Sequence, residues 1–482
     1  MKRSSFGIAQ SLFTRGLALV YLIAVVSWWV QADALVGSHG IAPMASWLPE
    51  AGQQLGPSAC FKLPTVFLAN SSDAALQAVC AVGTVVAILV FAGIAQGPGL
   101  ILLWIVYLSL ATTGNVFMNF QWDALLLEAG LIAPFLAPWR WWTAPRHIDP
   151  QTPHLPVFLL WFLLGKLMFL SGLVKLTSGD PAWRDGSALA FHFETQPIPH
   201  AIGWYAHKLP GWFQSASVWI MFVIELGLPW LILCGRHGRR IALAGFTGLM
   251  LLIAGTGNFT YFNLLTVILC LPLLDDSAYP ASWLKPAPDA APRRLPTIWR
   301  AAALGPLAIL SLASCLPPNL TAFLRPLQTA IAPFRSVNSY GLFRVMTKER
   351  PEIIIEGSTD GVTWTAYEHR YKPDRVTEAP RLVAPHQPRL DWQMWFAALD
   401  APYRRSGYSV WFEGLLVRLM EGDPGVLRLF AENPFPEGPP RYLRARLFRY
   451  SFTTSEEKRA TGDWWKRVEL GLYFPVVERR SP

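Results

Sequence analysis

The stretch Asn119-Phe120-Gln121-Trp122-Asp123-Ala124-Leu125-Leu126-Leu127-Glu128 sets two carboxylates and a glutamine in a run otherwise apolar enough to sit in lipid. A charge at such depth costs several kcal/mol unless it meets a partner or has a task. Any fold that buries this run must therefore bring a cation or a polar cavity to Asp123 and Glu128. Few candidates exist, because charged residues are scarce in the first two thirds of the chain.

That scarcity also fixes the class. The 482 residues are 52% hydrophobic and only 15% charged, where soluble domains carry roughly a quarter. Apolar runs recur near 16–32, 76–96, 99–117, 121–138, 155–177, 216–235, 240–256, 258–274 and 299–316, each close to the ~20 residues that a spanning helix needs. Several are short or broken by glycine or proline. The expected fold is an α-helical polytopic membrane protein of about nine spans, fewer if 240–274 is one broken helix, with a C-terminal β-rich extramembrane domain. Membrane lipids are thus its first partners. The first run follows Met1-Lys2-Arg3 without a small-residue cleavage site and reads as an uncleaved anchor.

Organisation and sidedness follow. Residues 1–334 form the expected transmembrane domain, with outer loops 33–75 and 178–214, and residues 335–482 the C-terminal domain. Lys2, Arg3, Arg15, Arg140, Arg146, Arg236, Arg239, Arg240, Lys285, Arg293 and Arg294 fall on one side of the spans, against Lys62, Arg184 and Lys208 on the other. Positive residues stay inside, so a cytoplasmic N-terminus is expected. An odd number of spans then puts the C-terminal domain outside, in the periplasm if the membrane is the inner membrane of a bacterium. The proline-rich residues 275–298 read as a cytoplasmic connector.

Beyond 335 the pattern changes. Pro351–Gly357 and Trp364–Tyr371 alternate as strands do, with Asp360-Gly361 between them as a hairpin signal. Trp392–Leu399 and Val410–Met420 read as helices, and Arg441–Phe452 as another half-buried strand.

The net charge of +9 does not imply nucleic acid, since no basic helix is interleaved with aromatics. Cys60, Cys80, Cys234, Cys270 and Cys315 form no CxxC, so no thiol-based metal site is expected, and no cofactor.

The candidate polar core is Gln121, Trp122, Asp123, Glu128, Lys166, Lys175, Glu225 and Asn258. At 1.5 Å per residue, Asp123 and Lys175 lie within a turn of the outer interface, Glu128 about 10 Å in and Lys166 about 16 Å in. Lys166 with Glu128 or Glu225, and Lys175 with Asp123, are the expected ion pairs, with Gly165 and Gly172 on one stripe for close packing. The competing reading makes Asp123, Glu128 and Lys166 an acid/base or cation-binding centre. No metal-ligand spacing and no serine or cysteine nucleophile accompanies them. In the outer loop, Trp183, Arg184, Asp185, His192, Glu194 and Gln196 stand out. On an extended strand His192 and Glu194 would share a face.

Several of these strings carry a resemblance. Asn119-Phe120-Gln121-Trp122-Asp123, Trp183-Arg184-Asp185, Phe191-His192-Phe193-Glu194-Thr195-Gln196-Pro197 and Gly257-Asn258-Phe259-Thr260-Tyr261-Phe262-Asn263 are similar in order and spacing to the lipase maturation factor family. So are Asn338-Ser339-Tyr340-Gly341, Arg389-Leu390-Asp391-Trp392 and Asn433-Pro434-Phe435 in the tail. The resemblance implies a membrane protein that helps secreted lipases fold and assemble, with its C-terminal domain on the lumenal side. An exported lipase or another secreted client is the partner it implies, and no catalytic residue set comes with it. An integral membrane enzyme acting on a lipid, a quinone or a secreted polypeptide is the alternative.

Overall fold

The computed structural model describes residues 5–479 apart from 145–146, 149–151, 281–282, 284, 287–295, 318 and 401–407. Half of the expected connector 275–298, with Arg293 and Arg294, lies outside the described residues, as do Lys2, Arg3 and Arg146.

Each expected apolar run is helical. Six helices are long and apolar enough to cross a bilayer among the described residues: α1 (Gly7–Val36), α2 (Asp73–Ala92), α3 (Gln96–Thr113), α5 (His154–Thr177), α6 (Gly211–Leu231) and α7 (Gly235–Thr256). Three shorter ones fill the remaining runs: α4 (Gln121–Leu136), α8 (Phe262–Leu273) and α9 (Thr297–Ala313). Counting apolar runs therefore does not give the parity of crossings.

The first helix exceeds its run by a wide margin, at 30 residues. Hydropathy stops at polar residues, but Gln10, Thr14 and Gln31 are buried here and bonded. Glycine lets α4 approach α1 closely: a Cβ on Gly130 would fall 1.9 Å from the Tyr21 hydroxyl. Helix α6 is interrupted by a π turn, Val223–Gly227, two residues before Pro229. Such turns displace the ladder locally and re-aim a side chain.

The cap is a four-stranded antiparallel sheet in the order β2-β1-β3-β4, from β1 (Arg350–Ser358), β2 (Thr365–Ala366), β3 (Tyr442–Phe452) and β4 (Trp465–Glu478). Asp360 closes the β1–β2 hairpin by accepting from the backbone of Val362 and Thr363 at 2.8 and 2.7 Å. The second strand is much shorter than Trp364–Tyr371, because His369 to Asp374 fold into a buried charge cluster instead. Helices α10 (Arg389–Asp400) and α11 (Val410–Glu421) complete the cap. The largest hydrophobic cluster among the described residues runs from the bundle into the cap, joining Trp28 and Trp122 to Trp392, Trp411 and Phe412.

Candidate functional site

The polar core is built where the cap seats on the bundle. Asp123 lies in the first turn of α4 and meets Tyr107 of α3 and Tyr261, the residue before α8. Arg389, the first residue of α10, grips it through two parallel bonds, Nη1 to Oδ2 at 2.8 Å and Nη2 to Oδ1 at 3.0 Å. Both side chains are buried, 0% and 1% exposed. The Tyr107 and Tyr261 hydroxyls donate to Oδ1 at 2.5 and 2.8 Å, and Arg389 also donates to the Phe117 carbonyl at 2.8 Å. A planar guanidinium forked onto a carboxylate is the strongest pairing available to such a buried charge.

The cap segment before Arg389 is threaded into α1. Ser27 Oγ accepts from the Gln387 amide at 2.9 Å. Gln31 Oε1 accepts from the Arg389 amide at 2.9 Å. Gln31 Nε2 returns a bond to the Gln387 carbonyl at 2.7 Å, and Trp122 donates to Gln387 Oε1 at 2.8 Å. The His386 Nδ1 lies 2.9 Å from Ser27 Oγ. Burial, and then the nearby Arg389 charge, push His386 down to about 4 from its ordinary 6.5. The unfolded chain takes up a proton below pH 6.5 that the seated imidazole refuses, so this contribution to stability falls as pH drops from about 6.5 to about 4. A His386→Gln variant should accordingly lose less melting temperature than the parent over that window; equal losses would remove His386 from the seat.

Glu128 is the centre of a second cluster one and a half turns deeper. Lys166 Nζ sits 2.5 Å from Oε1, and Ser311 of α9 bridges them at 2.7 and 3.1 Å. Oε2 accepts from the Asn338 amide and side chain, both at 3.2 Å, and from the Tyr340 hydroxyl at 2.7 Å. The Lys166 ammonium lies 5.3 Å from the Tyr340 ring centre. The side chains are 0% and 3% exposed, so the pair is closed off from the surface.

Lys175 does not reach Asp123. It binds both oxygens of Glu225 at 2.7 Å, beneath the Trp183 ring at 5.3 Å. The reason is the face of α5: a Cβ on Gly172 would stand 2.9 Å from Leu226 and 3.0 Å from Glu225. The small-residue stripe thus packs on the π turn of α6, carrying Lys175 to Glu225 and away from α4. Asp123 is left to the cap.

The outer loop is helical where an extended strand would align His192 with Glu194. Within Leu189–Thr195 the two diverge. His192 stacks on Phe259 and meets Phe343 edge-on, whereas Glu194 accepts from the Phe452 amide at 2.7 Å. Gln196 donates to the Phe193 and Thr256 carbonyls, and Trp183 to the Phe343 carbonyl at 2.9 Å. Arg184 and Asp185 stay at the surface. Gln121 accepts from the Gly341 amide at 3.2 Å. Asn258 clamps loop to cap, donating to the Pro199 and Arg381 carbonyls at 3.2 and 2.8 Å and accepting from Val383 and Ala384 at 2.8 and 3.0 Å.

A cluster that sequence reasoning missed fastens the cap to this loop. Arg350, fully buried, donates to the carbonyls of Glu194, Gln196 and Pro197 and pairs with Glu352 at 2.6 Å. Lys372 bridges Glu352 and Asp374, and His369 lies 3.0 Å from Asp374. Lys372 holds the Asp374 carboxyl down to about 2 against the cost of burial. Scattered over a long stretch, these charges carry no spacing signal. No group of three or more potential ligands is placed to hold a metal among the described residues.

Fold and site together define a polytopic membrane protein whose buried charges are sealed by a folded cap. The chain belongs to the lipase maturation factor family: residues 8–281 match the lipase maturation factor transmembrane domain and residues 336–475 the lipase maturation factor C-terminal domain. Lipase maturation factor 2 of Xenopus tropicalis is 33% identical over 98% of this chain and 83% of its own length, and that of Homo sapiens is 33% identical with the same coverage. Lipase maturation factor 1 of Bos taurus is 31% identical over 100% of this chain and 91% of its own. No solved structure matches.

Proposed function

We propose that the chain is a membrane-embedded maturation factor that assists folding or assembly of exported proteins, lipases among them. It would act in the inner membrane of a bacterium, with its N-terminus in the cytoplasm and its cap in the periplasm. Family membership carries the reading. The closed state of the polar core supports it, because Asp123, Glu128 and Lys166 have their bonding capacity taken up by bundle side chains and by the C-terminal third. The enzyme alternative is not supported: an acid or base needs access to the proton it moves, and these groups are sealed. Deleting the gene should lower the active yield of exported lipase several-fold while leaving its transcript unchanged. Unchanged activity in the medium would refute the role.

The two exposed cysteines test the sidedness. Cys60 lies in the outer loop and Cys234 at the opposite end of α6. A membrane-impermeant maleimide applied to sealed spheroplasts should label Cys60 and reach Cys234 only after permeabilisation. The reverse pattern would invert the topology.

A further inference from the structure

Between the outer ends of α1 and α2 and the underside of the cap lies a cavity of about 280 Å³, lined by Trp29, Val30, Gln31, Asp33, Gln77 and Arg428 among others. Its depth is set by α2. That helix has 20 residues, about 30 Å long, which matches the hydrocarbon core of a bilayer. Gln77 is one turn in from its first residue, at about 6 Å, so the cavity sits where headgroups give way to acyl chains.

Its charges are arranged unlike those of the sealed core. Asp33 is exposed, and its two oxygens accept only an amide nitrogen, Gln77 Nε2, at 2.7 and 2.6 Å. Gln77 is held for this task by Trp29, whose Nε1 donates to its Oε1 at 2.5 Å. No cation lies within ion-pair distance of Asp33 among the described residues. Across the cavity Arg428 comes from the cap, and no acid pairs with it among the described residues. An exposed, unpaired carboxylate at this depth is costly without a cationic partner, and an unpaired guanidinium beside it is a phosphate receptor. Below them Val26 and Val30, one helical turn apart and 37% and 72% exposed, open an apolar track into the bilayer.

We propose that this cleft binds the headgroup of a zwitterionic aminophospholipid. Its ammonium meets Asp33, its phosphate meets Arg428, and a chain follows Val26 and Val30. The ammonium offers N–H donors to the carboxylate, which a choline headgroup lacks, and a glycerol headgroup lacks the positive charge altogether.

The test uses the purified full-length protein in detergent, stripped of lipid and offered phosphatidylethanolamine, phosphatidylcholine or phosphatidylglycerol. Retention is read by native mass spectrometry and by melting temperature. Phosphatidylethanolamine should be retained about three- to tenfold better than either of the others, the range expected of one additional charge-assisted contact. Asp33→Asn should abolish its advantage over phosphatidylcholine, and Asp33→Glu should keep it. Arg428→Gln should weaken retention of all three phosphates. Both side chains are exposed, so the variants should stay monodisperse on size exclusion. Equal retention of the three lipids, a preference for phosphatidylglycerol, or a preference unmoved by Asp33→Asn would overturn the assignment.

Discussion

Replacing Arg389 with methionine should cost about 3–5 kcal/mol of stability, the usual penalty for stripping a buried charge of its ion-pair partner. The variant keeps much of the volume of the side chain but leaves the Asp123 carboxylate with two tyrosine hydroxyls and the Phe120 amide, and no cation in contact. It also removes the donor to the Phe117 carbonyl. The readouts are a lower denaturation midpoint in detergent and faster proteolysis between the bundle and the cap. Combining Arg389→Met with Asp123→Asn should restore part of the loss, since no bare charge then remains. A single variant that loses less than about 1 kcal/mol, within the range of an exposed pair, would mean the cap is held by something else.

The second large effect is expected at Lys166. Changing it to methionine leaves Glu128 with Ser311, Asn338 and Tyr340, a set of neutral donors that cannot balance its charge, again at about 3–5 kcal/mol. The double variant Lys166→Met with Glu128→Gln should lie close to the parent, because a buried pair swapped for neutral groups of similar volume is often tolerated. This variant also separates the two roles considered for the pair. A stable double variant that still raises the yield of active lipase makes the charges a lock. One that assembles fully and does nothing would reopen the acid/base reading.

What could be read from the chain alone follows its physical signals. Apolar runs are dense and local, so the helices and the membrane class were legible. Their true lengths were not, because polar residues such as Gln10 and Gln31 extend α1 once other helices satisfy them. That Asp123 and Glu128 demand partners was legible from the cost of charge in oil. Which partners was only half so: depth along the helices suggested Lys166 for Glu128, yet depth says nothing about which face of α5 turns toward α4. The face of Gly172 decided it, sending Lys175 to Glu225. Arg389 was invisible as a partner because it lies 266 residues from Asp123 in sequence. The one hint was a lone arginine beside Leu390 and Trp392, on a helix with a broad apolar face. In the cap, Arg350, Glu352, Lys372 and Asp374 alternate in no pattern that marks burial, and only the fold gathers them.

The seating of Arg389 on Asp123 has a consequence for synthesis. The chain is made from its N-terminus, so α4 enters the bilayer long before residues 338, 340 and 389 exist to meet it. Until the final third has been made and folded, the carboxylates of Asp123 and Glu128 lack their full complement of donors. A product truncated ahead of 389 keeps Asp123 without its guanidinium. The cap thus completes the bonding of the membrane core as well as covering it.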